Sequence, residues 1–243
     1  NGIMARNQII DLATGPLSEL MSAEPSKRAE LIKDISFLNS TKIQSNEADV
    51  KRIIYAPHHS LEGSRICTQH FSTFAYNHQE ILQFARENAD TTSWILKPHP
   101  VLRTTTVECG LFASNAEYNA YLDAWRALPN ATVVEEAAYY DIFKTSDAMI
   151  LDSVSFIAEY QFTGKPLLFL TKDGQNFNQF GKDILAHLYK ADGKDIEAIN
   201  TFVRDVVIEG KDIMSRERER FFDENLNYYK KNGNIKASQQ IFA

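Results

Sequence analysis

Short apolar runs recur through the middle of the chain, each closed by proline or polar residues, and stretches with apolar positions at helical spacing separate them. Arg52-Ile53-Ile54-Tyr55-Ala56, halted by Pro57, reads as a buried strand, as do Ser93-Trp94-Ile95-Leu96, Ala131-Thr132-Val133-Val134, Ala148-Met149-Ile150-Leu151 and Pro166 to Leu170. Between them, Phe74 to Ala89 carries Ile81, Leu82 and Ala85 on one helical stripe, and Asn115 to Leu128 reads as a helix capped by Asn115 or Ser114, with Pro129 beyond it. Tyr140 to Thr145 is a short helix. Another opens at Ser153 and continues through Phe156 to Phe162, with Gly164 where a C-terminal glycine cap belongs. The periodicity predicts helices over Asn178 to Leu188, Ile196 to Ile208 and Ile213 to Tyr229. It predicts further helices from Met4 to Asn39, broken near Gly15-Pro16 and Glu24-Pro25.

Strands alternating with helices on short connections indicate an α/β fold: a Rossmann-like parallel sheet of five or more strands, covered on both faces. The expected organisation is a helical lead and linker over residues 1–49, a Rossmann-like domain over 50–212, and a helical tail over 213–243. Arg216-Glu217-Arg218-Glu219-Arg220 reads as a solvated helix face of mixed charge.

Composition narrows the class. The 243 residues are 44% hydrophobic and 24% charged, ordinary for a globular protein. A formal charge of −6 argues against general affinity for nucleic acid or an anionic surface, while leaving room for a local basic pocket. Cys67 and Cys109 have no metal-like spacing, so a disulfide scaffold is not expected and a cytoplasmic setting is. No apolar run approaches the ~20 residues that span a bilayer. The start at Asn1-Gly2-Ile3 suggests a piece of a longer protein.

Candidate chemistry lies at the strand ends. The first strand is followed by Pro57-His58-His59-Ser60, the second by Lys97-Pro98-His99-Pro100, and the fourth by Asp152-Ser153-Val154-Ser155. In open α/β sheets, ligands collect beyond the carboxyl ends of the strands. A cation and histidines there, with hydroxyls at a helix start, suit an anionic ligand, most simply a phosphate. His99 is the candidate catalytic group, since prolines on both sides hold its surroundings extended. His58, His59, Ser60, Lys97, Asp152, Ser153, Ser155 and Glu159 are the candidate nucleotide- or phosphate-binding set. Each has a plainer role beside that one: a strand-capping histidine, a lysine stem lying on apolar surface, a serine N-cap, a paired glutamate. Adjacent histidines in a tight turn rarely serve one ion, so no metal is assigned. The lack of a Gly-x-Gly-x-x-Gly or Walker loop takes most of the support from the usual dinucleotide and ATPase readings.

These residues carry a resemblance. Tyr55-Ala56-Pro57-His58-His59-Ser60, then Leu96-Lys97-Pro98-His99-Pro100, then Ser146 to Phe156 followed by Gly164-Lys165-Pro166, resemble the carboxy-terminal half of CDP-glycerol glycerophosphotransferases over roughly Ile53 to Lys182. The resemblance implies one half of a GT-B fold and teichoic-acid or capsule polymer synthesis. It also implies that His99 and the Lys97-to-Pro100 loop line the donor site, and that Ser155 and the helix start bind the donor's pyrophosphate. Glu159 falls where the family tends to place an acidic residue. The chain departs from the family in His58-His59-Ser60, where relatives often carry Thr-x-Arg, and in Val154, which splits the expected paired serines. It also lacks the His-Gly element of the family's first domain, so an N-terminal GT-B domain is expected as a partner outside this chain.

The implied substrate is a CDP-activated donor such as CDP-glycerol, with no further cofactor, and the implied acceptor is a polymer or lipid-linked molecule. The implied location is cytoplasmic, at the inner face of the membrane in the full-length protein. A UDP- or GDP-sugar glycosyltransferase, a UDP-sugar epimerase and a non-enzymatic module are the competing readings.

Overall fold

Every run read as a strand forms one, and a further strand follows them. The computed structural model describes residues 50–135 and 139–227. The expected helical lead, residues 136–138 and the end of the expected tail lie outside the described residues. The strands are β1 (Lys51–Ala56), β2 (Thr92–Leu96), β3 (Ala131–Val133), β4 (Ala148–Leu151), β5 (Leu167–Thr171) and β6 (Tyr189–Asp192). All pair in parallel, in the order β3-β2-β1-β4-β5-β6. The chain lays strands outward on one side of β1, then returns to lay the rest on the other side. The point of reversal therefore falls between β1 and β4, where doubly wound sheets leave their ligand crevice.

Alternation along the strands builds two cores. Ile53, Tyr55, Trp94, Leu96, Ile150 and Leu168 face one layer of helices, and Ile54, Ile95, Met149, Leu151, Leu167 and Phe169 face the other. The first layer comprises α1 (Phe74–Glu87), α2 (Leu102–Glu108), α3 (Asn115–Arg126) and the helix of α7 (Ile196–Thr201) continued as a π-helical segment through Ile208. The second comprises α4 (Tyr140–Thr145), α5 (Phe156–Glu159), α6 (Gln179–Leu185) and α8 (Ser215–Phe221). Ser114 caps α3 by accepting the Glu117 N–H, and Gly164 ends the α5 region at φ 71°. Among the described residues, no helix is long and apolar enough to cross a membrane.

Four local expectations are corrected. The helix read as far as Leu188 stops at Leu185, and the next residues pair with β5 as β6. An extra helix, α2, follows Pro100; its threonines bond back to carbonyls one turn earlier, Thr105 to Val101 and Leu102, and Thr106 to Arg103. The helix after β4 is one short α-turn that tightens into a 3₁₀ turn over Tyr160–Thr163. Arg218 is not solvated. It is 2% exposed, donates to the Gly164 carbonyl and pairs with Asp212 at 2.5 Å.

A buried polar chain fixes the crevice from beneath. The Tyr55 hydroxyl donates to Asn77 Oδ1 (2.7 Å), and Asn77 Nδ2 donates both to Thr73 Oγ1 and to the Gly193 carbonyl, each at 3.0 Å. A Cβ on Gly193 would lie 2.4 Å from Thr73 Cβ, far inside contact distance. Gly193→Ala is therefore expected to cost about 1–3 kcal/mol through overpacking, read as a lower urea midpoint at unchanged slope.

Candidate functional site

The carboxyl ends of β1, β2 and β4 lie side by side because Ala56 is opposite Leu151 and Tyr55 is opposite Leu96. Pairing persists past the strands: the Lys97 N–H donates to Tyr55 O at 2.8 Å and the His99 N–H to Pro57 O at 3.4 Å. The loops after β1 and β2 thus run together, and three imidazoles meet. His59 stacks on His99 with centroids 4.0 Å apart and planes 25° from parallel; His58 lies 4.3 Å from His59 and 5.5 Å from His99.

Removal from water sets their charge. Burial, reinforced by the positive charges that His59 and His99 would carry, lowers His58 to about 3. Burial, then His59 and Lys97, lowers His99 to about 4, and burial lowers His59 as well. At neutral pH, His58 and His99 are uncharged hydrogen-bonding groups. Lys97 is itself 5% exposed, so it is a buried group acting on His99 and not a surface lysine. Among the described residues, no grouping of histidine, cysteine, aspartate and glutamate has the arrangement of a metal site.

Asp152 joins β4 to the histidine loop. Its carboxylate accepts the His58 N–H at 2.6 Å and both the N–H and the hydroxyl of Thr73, at 2.5 and 2.9 Å. Its oxygens are engaged by protein donors, and burial raises its carboxyl to about 6 against the pull of those donors. Ser60, 3% exposed, is likewise engaged: its Oγ accepts the Phe71 N–H at 3.0 Å and meets His58 Nδ1 at 2.6 Å.

Ser153 and Ser155 follow on the β4 loop with hydroxyls 3.4 Å apart, the first buried and the second exposed. The expected N-cap is corrected here. Ser155 has helical dihedrals (φ −70°, ψ −45°) and its side chain caps nothing, because the loop has already turned helical before reaching it. With only Phe156–Glu159 behind it, that turn lacks the dipole of a long helix. No hydrogen bond among the described residues joins Ser155 to the histidines. Glu159 accepts the Tyr139 hydroxyl at 2.6 Å, and burial raises its carboxyl. Glu135 is a surface partner of Arg103 and Arg126.

The strand ends thus bring together His58, His59, Ser60, Lys97, His99 and Asp152, and leave Ser155 and Glu159 on a neighbouring turn. Thr73 and Asn77 were not legible as parts of this site. Thr73 precedes a helix like any capping residue, and nothing in the sequence ties it to position 152.

The family model described as CDP-glycerol:poly(glycerophosphate) glycerophosphotransferase matches residues 36–242. No curated protein matches the chain. Among solved structures, the wall teichoic acid polymerase TagF with CDPG is similar at 20% identity, covering 84% of this chain and 45% of that one, with a TM-score of 0.45. The UDP-GlcNAc 2-epimerase of Neisseria meningitidis is similar at 19% identity (96% and 51% covered, TM-score 0.45), and a glycosyltransferase of Rickettsia africae at 12% (92% and 53%, TM-score 0.47). The chain spans about half the length of each of these structures.

Proposed function

Because the chain belongs to the CDP-glycerol:poly(glycerophosphate) glycerophosphotransferase family, we propose that it is the donor-binding half of a transferase moving a glycerol-phosphate or alditol-phosphate unit from a CDP-activated donor to a cell-surface polymer acceptor. The observation that carries this reading is the meeting of His58, His59 and His99 with Lys97 at the carboxyl ends of β1 and β2, tied by Asp152 to the neighbouring β4 side of the reversal point.

In the proposed reaction, an acceptor hydroxyl attacks the phosphorus bearing the glycerol. The new P–O bond forms as the anhydride P–O bond breaks, CMP departs with that bond's electron pair, and the acceptor proton passes to a base on the facing domain. This half supplies positioning and charge neutralisation. The Lys97 ammonium and hydrogen bonds from His58 and His99 meet the phosphoryl oxygens, with the Ser153 and Ser155 hydroxyls as neighbouring donors. Ser60 and Asp152, expected to touch the ligand, support these groups from behind. The chemistry needs no cofactor besides the donor. The facing domain is proposed to be a second Rossmann-like half, with the whole enzyme at the inner face of the membrane.

Thermal unfolding with CDP, UDP and GDP tests the donor. At ligand tenfold above its Kd, linkage gives about 1.4 kcal/mol, a rise on the order of 3–5 °C for a domain of this size. CDP is expected to raise the midpoint most. A larger rise with UDP or GDP points to a nucleotide-sugar glycosyltransferase, and no rise with any of the three overturns nucleotide binding altogether.

A further inference from the structure

The directions of the hydrogen bonds around the two loops settle which nitrogen of each ring carries its proton. The Ser60 N–H donates to His58 Nδ1 at 3.3 Å, and an acceptor of an N–H carries no hydrogen of its own. The neighbouring hydroxyl agrees: Ser60 Oγ accepts from the Phe71 N–H at 3.0 Å, so its own proton is available to Nδ1, 2.6 Å away. On the other loop, the Val101 N–H donates to His99 Nδ1 at 3.2 Å. Both rings therefore hold their proton on Nε2. Further protonation would turn Nδ1 into a donor facing a donor on each ring, so the geometry opposes the imidazolium form independently of burial.

We propose that Ser60 is a positioning residue that fixes His58 as an Nε2–H donor, matched by the Val101 amide on His99, so that two uncharged imidazoles form one receptor for the phosphoryl oxygens of a nucleoside diphosphate. The proposal rests on the donor-binding reading for its ligand, but the tautomer lock stands without one. Among the described residues, the charged or titratable groups around the rings are Lys97 on the β2 loop, His59 between them, and the Asp152 carboxylate beneath the His58 amide. From the remaining side, Phe71 presents an edge to His58 at 6.2 Å. Burial is the largest cause of both depressed values; His59 and His99 add to it at His58, and His59 and Lys97 add to it at His99. The receptor then offers fixed donors across the neutral range, with Lys97 as the cationic group beside them.

The test is nitrogen-15 NMR of the histidine-labelled 243-residue chain without ligand, with His58→Gln and His99→Gln assigning the signals. Unprotonated Nδ1 and protonated Nε2 are expected on both rings at pH 7, persisting to about pH 5. Ser60→Ala removes the hydroxyl, the shorter of the two contacts to Nδ1, and leaves the 3.3 Å amide, so His58 is expected to keep Nε2–H as its major tautomer with a measurable Nδ1–H fraction, and CDP binding to weaken about three- to tenfold. Ser60→Thr, which keeps the hydroxyl, restores both. Imidazolium or Nδ1–H on His58 in the wild-type chain at pH 7 overturns the proposal, as does a folded Ser60→Ala chain with unchanged His58 signals. If the spectra come out as expected while the wild-type chain fails to bind CDP, the donor assignment falls and the role of Ser60 in fixing the ring stands.

Discussion

His99→Ala, placed in the complete enzyme, is expected to lower turnover about 10²–10⁴-fold, the usual cost of deleting one positioned donor or acid from a transfer step. The fold should survive. His99 is only partly buried, its ring rests on His59 instead of filling either apolar core, and its backbone bonds to Pro57 and Leu102 need no side chain. Unchanged thermal unfolding together with the activity loss is therefore the diagnostic pair. Turnover within threefold of wild type would remove His99 from the mechanism. The loss should fall mainly on turnover, since Lys97, His58 and the remaining loops still offer contacts to the bound donor.

Asp152→Asn is expected to show the largest stability change, with a distinctive pH dependence. The amide keeps one oxygen but turns an NH₂ toward the donors of His58 or Thr73, leaving a buried donor unsatisfied at about 1–3 kcal/mol. The sign of the pH effect follows from the direction of the wild-type shift. The folded carboxyl is raised from 3.8 to about 6, so the native state binds the proton more tightly than the unfolded chain. The associated stability is fully present below the unfolded value and is lost as pH rises through about 6. His58 and His99 act oppositely: both are depressed, so their contribution is present above 6.5 and declines as pH falls toward about 4 and 3. Those rings are common to both proteins and cancel in the difference. Wild type minus variant should therefore widen by about 2–3 kcal/mol between pH 7.5 and 4. Urea titrations across that range measure it, and a difference that stays level would show that Asp152 ionises like an exposed carboxyl.

The α/β architecture was legible because buried parallel strands are apolar on both faces, as in Ile53-Ile54-Tyr55 and Ala148 to Leu151, and such runs are conspicuous. The sixth strand was not, because Tyr189-Lys190-Ala191-Asp192 lies at the sheet's margin. It buries only Ala191, so its pattern carries little apolar signal. The helix after Pro100 was hidden by three consecutive threonines, weak helix formers that here bond back to the preceding turn. At the site, strand order made the grouping of His58, His59 and His99 inferable. The roles of Asp152 and Ser60 were not, since a carboxylate that holds a ligand and one that holds a backbone look alike in sequence. Arg218 shows the same limit: its charged neighbours suggest a wetted surface, but its burial depends on where Gly164 and Asp212 come to lie.

The two margins of the sheet restrict what else can attach to it. β3 is only three residues long, and β6 exposes Lys190 and Asp192 beside its unpaired backbone. Neither offers a long apolar template on which a foreign strand can zip up. Among the described residues, these edges therefore favour attachment of further protein across helices or loop tips over extension of the sheet.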